Sequence, residues 1–215
     1  MSRSRERSFG LRRGLMRRDV AKVAKLRIPE VLTAEEQRAL LAQPNPRYPT
    51  GQRNHAMLRF LLDTGLRVAE LVALTWRHVD LLTGKVHVRE GKGARDRVLW
   101  VGESTLDVLR AWRERQTAEM GAASEHVFTT LHGGALSTRY VQQAVKRYRE
   151  RSEIPKQVTP HTLRHTFATD LLRATKNVRL VQKALGHASL ATTQIYTHIV
   201  DQELEEALKS FRGVA

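Results

Sequence analysis

"HTLRH", residues 161–165, sets two histidines four apart, which on a helix puts both imidazoles on one face, as zinc proteases do. The zinc arrangement also needs a glutamate directly after the first histidine, to act as general base. Thr162 stands there instead, and Arg164, a permanent cation that repels a dication, sits between the two rings. The stretch therefore reads against a metal. His161 and Arg164 are themselves three residues apart and hence helix neighbours, with Cβ atoms about 5–6 Å apart. A planar guanidinium fork beside an imidazole forms half of a clamp for a tetrahedral oxyanion such as phosphate. Taken alone, such a pair is more often an ordinary surface feature, so the other half must be found elsewhere in the chain.

The bulk numbers point to the same kind of ligand. The chain of 215 residues carries 37 Lys and Arg against 22 Asp and Glu, a formal charge of +15 at pH 7, and 41% apolar residues, enough for a core. That charge suits a polyanion, with nucleic acid first among them because neutralised phosphates release counterions. A solvated basic surface or ribosomal association is the bland alternative. Cysteine is absent, which excludes disulfides, cysteine-type zinc sites and thiol nucleophiles. No apolar run approaches a membrane span, and the basic N-terminus lacks the apolar stretch of a secretory signal, so the sequence reads as cytoplasmic.

Residues 1–30 hold ten basic residues against three acidic ones (Glu6, Asp19 and Glu30) and few apolar anchors. This reads as a basic arm or linker, with a solvated tail as the alternative. From Thr33 the pattern becomes regular. Thr33 and Glu36 make a capping box ahead of a short helix with Leu40 and Leu41. "NHAMLRFLLDTG" predicts a second helix, with Met57, Phe60 and Leu61 on one stripe and Gly65 as a left-handed cap. "LRVAELVAL" starts a third, with Val68, Leu71 and Val72 inward and Arg67 at its N-terminal turn. "KVHVRE" and "RVLWV" flank the tip "GKGARD" as a hairpin, residues 103–119 are helical, and "HVFTT" is expected to be one more strand. Ser137 caps a helix with Val141, Ala144 and Val145 inward and Arg139, Lys146, Arg147 and Arg149 on a basic outer face. A helix runs from His161 to about Ala174 behind Pro160, and another from Asn177 or Val178 to Leu185, ending at Gly186. Leu204, Leu208 and Phe211 recur at helical spacing in the tail. The expected fold is α+β, predominantly helical, with a small antiparallel β-sheet.

Two further stretches supply cations and a hydroxyl. Arg67 lies just past the glycine break of "TGLRVAELVAL", although a local pair with Glu70 explains it equally well in isolation. In "LGHASLATTQIYTH", His187 follows the Gly186 cap, where a helix dipole favours a protonated ring, and Tyr196 lies nine residues on. A lone tyrosine is more often a packed core residue than a nucleophile.

The ordered set "TGLRVAEL", "HTLRHTFAT" and "LGHASLATTQIYTH" resembles the tyrosine recombinase (phage integrase, Xer-like) family over about residues 29–205. The resemblance implies a metal-independent DNA strand transferase with no cofactor. Arg67, Arg164 and His187 would bind the scissile phosphate, His161 would assist proton handling, and Tyr196 would be the nucleophile. Lys92, in the hairpin tip, matches the family's mobile lysine, which protonates the leaving oxygen; Lys85, Arg95 and Arg97 are its basic neighbours. A phenol of pKa about 10 is a poor nucleophile at neutral pH, and surrounding cations stabilise both its phenolate and the extra charge on pentacoordinate phosphorus. The resemblance further implies double-stranded DNA as partner and a tetramer on DNA, docked through the C-terminal helix. Family members usually carry a helical core-binding domain ahead of the catalytic one. Residues 1–30 have room only for its remnant and a linker, leaving 31–215 as the catalytic domain. A truncated, non-catalytic DNA-binding remnant is the alternative to an active enzyme.

Overall fold

The computed structural model describes residues 30–89, 96–122 and 124–186. Lys92, His187, Tyr196, the basic arm before residue 30 and the Leu204–Leu208–Phe211 stripe lie outside the described residues.

Within them the chain folds as seven α-helices and a two-stranded antiparallel sheet, the α+β, predominantly helical class expected. Helix α1 (Ala34–Leu41) starts at the Thr33–Glu36 capping box, in which Glu36 N donates to Thr33 Oγ1 at 3.2 Å and Thr33 N donates to Glu36 Oε2 at 2.7 Å. Helix α2 (Pro49–Thr64) opens on a proline, whose missing N–H costs nothing in a first turn, and closes on Gly65. Helix α3 (Val68–Val72) is a single short segment leading into a 3-10 turn, Trp76–His78. Strands β1 (Lys85–Val88) and β2 (Arg97–Trp100) pair with Lys85 opposite Trp100 and Val88 opposite Arg97. Then come α4 (Glu103–Met120), α5 (Thr138–Arg151), α6 (Pro160–Thr175) and α7 (Val178–Leu185).

Helix α2 is the pillar. It packs against both α4 and α6, with Met57, Leu58, Phe60 and Leu61 wholly buried and Phe60 6.0 Å from Phe128 between ring centroids. The inward stripe of α5 is as expected: Val141, Ala144 and Val145 have no exposure. A smaller cluster, Ala168, Leu172, Val181 and Leu185, seats α7 on α6. That seat fixes where the last carbonyls of α7 lie, which decides the geometry of the site.

"HVFTT" does not form the expected strand. It makes isolated bridges, Thr75 with His126 and Thr129 with Ala135, after two ladder bonds, Trp76 N to Glu125 O and Val127 N to Leu74 O. The 3-10 turn then leads the neighbouring chain away. Side chains of α4 satisfy two of its carbonyls instead: Trp112 Nε1 donates to Val127 O at 2.7 Å and Gln116 Nε2 to His126 O at 3.1 Å. Two helix side chains thus do what a third strand would have done.

Gly65 adopts φ +60°, the left-handed cap that only glycine takes without strain, and its N–H donates to Leu61 O. A Cβ placed there would lie 2.3 Å from Phe167 Cδ1. Gly65→Ala is therefore expected to lose about 2–4 kcal/mol, the sum of left-handed strain and overpacking. Urea unfolding checks this, and a loss below about 0.5 kcal/mol would contradict it.

Candidate active site

Helix α6 begins with Thr159 as N-cap and Pro160 in its first turn, and a reciprocal pair joins Thr159 to Thr162: each backbone N–H meets the other's Oγ1, at 3.1 and 3.2 Å. Thr162 thus occupies the position of a zinc protease's glutamate in order to cap the helix. The rings of His161 and His165 meet edge to face at 4.2 Å between centroids. Among the described residues no three His, Cys, Asp or Glu side chains gather in a metal-holding group.

Arg164, one turn further on, is 5% exposed. Its Nη1 donates to Gly65 O at 2.6 Å and its Nη2 to Leu185 O at 2.7 Å. Both acceptors stand at helix C-termini, where the last carbonyls have no partner within the helix and the dipole is negative. One guanidinium therefore pins the ends of α2 and α7 to the start of α6. A lysine, with a point charge in place of a fork, would not span the two carbonyls in the same way.

Arg67 is the N-cap of α3, in extended backbone immediately after the Gly65 turn. Glu70 receives its backbone N–H at Oε2 (2.8 Å) and its Nη1 at Oε1 (2.7 Å). The local pair foreseen from sequence exists, and it orients Arg67 while leaving its side chain 44% exposed. Glu70 is held from the other side too. Arg97, 5% exposed on β2, donates Nη1 to Oε1 at 3.0 Å and Nη2 to Oε2 at 2.8 Å, and its Nε donates to Ala184 O at 2.8 Å. Burial pushes the Glu70 carboxyl up, but the bonds and charges of Arg97 and Arg67 outweigh it and bring the carboxyl down to about 2.

Since that value lies below the ordinary 4.5, the stabilisation from Glu70 is complete above about pH 4.5 and is lost as pH falls toward 2. Acid unfolding followed by circular dichroism is expected to move to higher pH in Glu70→Gln, with stability at low pH less dependent on pH than in the wild type. Parallel acid curves for the two proteins would contradict this.

Arg67, His161 and Arg164 line one cavity of about 730 Å³, together with Gln142, Lys146 and Gln157. Sequence positions 97 apart thus contribute to a single surface. His161 is drawn below its usual imidazole value, first by burial and then by the charge of Arg164, which favours the uncharged ring. An NMR titration of its ring is expected to give a midpoint under 6.5; a midpoint above that value would contradict the burial argument. A neutral imidazole can accept a proton or donate its N–H, whereas the two guanidinia supply fixed positive charge.

Two features were not evident from sequence. Lys146, grouped with the outer face of α5, is exposed yet lines the cavity. Arg97 stood out only as a basic neighbour of Lys92. Its signal was strand alternation, which puts it on the same side as the buried Leu99.

The model of the phage integrase family matches residues 30–203. The chain belongs to the phage integrase family. Tyrosine recombinase XerC of Xanthomonas campestris pv. campestris is 43% identical over 178 residues, which cover 83% of this chain and 54% of that protein. Among solved structures, XerA recombinase superposes with a TM-score of 0.73 at 33% identity over 86% of this chain and 66% of its own. The site-specific recombinase XerH, in a post-cleavage complex with its palindromic difH substrate, gives 0.74 at 28% over 89% and 56%. The chain spans about half the length of the curated relative it matches. Among the described residues no helix is long and apolar enough to cross a membrane.

Proposed function

We propose that the chain is the catalytic part of a site-specific DNA recombinase, a strand transferase acting through a 3′-phosphotyrosyl intermediate. The supporting observation is the shared cavity: Arg67 and Arg164, from different helices, and His161 face one space. In this reading the guanidinia bind the non-bridging oxygens of one phosphodiester, with His187 as the third donor. The Tyr196 oxygen attacks phosphorus, the bond to the 5′ oxygen breaks, and Lys92 delivers the proton that the departing oxygen needs. The phenolic proton leaves through His161. The phosphotyrosine conserves the bond energy, so a 5′-hydroxyl of a second strand can attack it, restoring the diester and freeing Tyr196. Cations pre-aimed at the phosphate stabilise the extra charge of the transition state without reorganising.

The same reading takes residues 31–215 as the catalytic unit and 1–30 as a basic arm. Duplex DNA in the cytoplasm is the substrate, and a tetramer assembles on it through the Leu204, Leu208 and Phe211 stripe. A library of randomised nicked duplexes, incubated with the protein in EDTA and then denatured in detergent, tests the chemistry. A covalent protein–DNA adduct is the expected result. Duplex binding with no adduct at any sequence would point to a DNA-binding remnant instead.

A further inference from the structure

Glu70 carries one negative charge and is shared by two arginines, of which only Arg67 lines the anion cavity. Each carboxylate oxygen accepts one bond from each arginine. A lone Arg67–Glu70 pair would be electrically neutral and would offer a phosphate little attraction. With Arg97 on the far side, the trio carries a net positive charge that faces the cavity through Arg67. Arg97 has a second task. Its Nε holds Ala184 O while Arg164 holds Leu185 O, so two buried arginines grip consecutive carbonyls at the end of α7. Such terminal carbonyls otherwise need solvent or a cap. Arg97 also lies on β2, five residues after Lys92 in the sequence.

We infer that Arg97 is a positioning residue of the anion site: it takes up the charge of Glu70 so that Arg67 remains available to the phosphate, and it ties β2 to the end of α7. The inference rests on the phosphate-binding reading above. Arg97 lies behind Glu70, so it acts through Arg67 and the α7 carbonyl.

Inorganic phosphate is the probe, and the 15Nε signal of Arg67 in the full chain is the readout. In the wild type, phosphate shifts that signal. Arg97→Met is expected to weaken phosphate binding about tenfold, and adding Glu70→Gln to the same chain brings it back to within about threefold of the wild type, because the unshared negative charge is gone. A purely structural role predicts no such recovery, since the second change removes still more bonds. Should Arg97→Met fail to fold, Arg97→Lys retains the charge and loses the fork. It is expected to fall between the wild type and the tenfold loss in affinity, and Glu70→Gln in that background raises the affinity, because the negative charge beside Arg67 is gone.

Phosphate affinity unchanged in Arg97→Met or Arg97→Lys, or a double variant as weak as Arg97→Met, overturns this inference alone. A wild-type chain whose Arg67 signal does not respond to phosphate overturns the phosphate reading and the inference together.

Discussion

Arg164→Ala is expected to slow adduct formation by about 10²–10³-fold, the usual consequence of removing one donor aimed at developing charge. It is also expected to destabilise the fold, because the same guanidinium satisfies Gly65 O and Leu185 O from a site that is 5% exposed. Two buried carbonyls stripped of donors cost about 1–3 kcal/mol each. Rate and stability therefore fall together, and urea unfolding alongside the adduct assay separates them. Arg164→Lys keeps the charge but not the fork, so it recovers more of the rate than of the carbonyl bonding. An alanine variant of wild-type stability would contradict the structural role, and one of wild-type rate the catalytic role.

Tyr196→Phe is expected to leave no covalent adduct while duplex binding stays within about threefold of the wild type, since only one hydroxyl is lost. The contrast is the informative part. In the proposed reaction, binding would draw on a +15 chain whose charge is spread over many Lys and Arg residues, whereas the covalent step would draw on a single oxygen. Residual adduct in Tyr196→Phe would identify a different nucleophile; a parallel collapse of binding would make Tyr196 a packing residue.

What sequence could and could not show follows from the range of the interactions involved. The capping box at Thr33, the left-handed Gly65 and the Ser137 cap are settled by neighbours within four residues, and all three stand where local chemistry puts them. The inward stripe of α5 is likewise a matter of periodicity. Arg67 and Arg164 could be singled out but not joined by such rules, because the carbonyls that hold Arg164 lie 99 and 21 residues away. Only the packing of α2, α6 and α7 brings them together; the family resemblance supplied the pairing, and the cavity supplies the physical reason. "HVFTT" failed as a strand for a related cause: its β-branched and aromatic residues suit an extended chain, but its backbone partners make only isolated bridges, and helix side chains take two of its carbonyls. Arg97 was hidden because a basic residue beside a glycine-rich hairpin tip looks like surface, and its carboxylate partner lies 27 residues back on α3.

The proposed chemistry requires Arg67 and Arg164 to meet one anion between them. A crystal soaked in tungstate, whose tetrahedral dianion mimics phosphate and scatters strongly, tests this directly. A single tungstate peak is expected in the 730 Å³ cavity, with oxygens about 2.7–3.2 Å from guanidinium nitrogens of both Arg67 and Arg164. Tungstate held by one arginine with the other turned away, or found only outside the cavity, would contradict it.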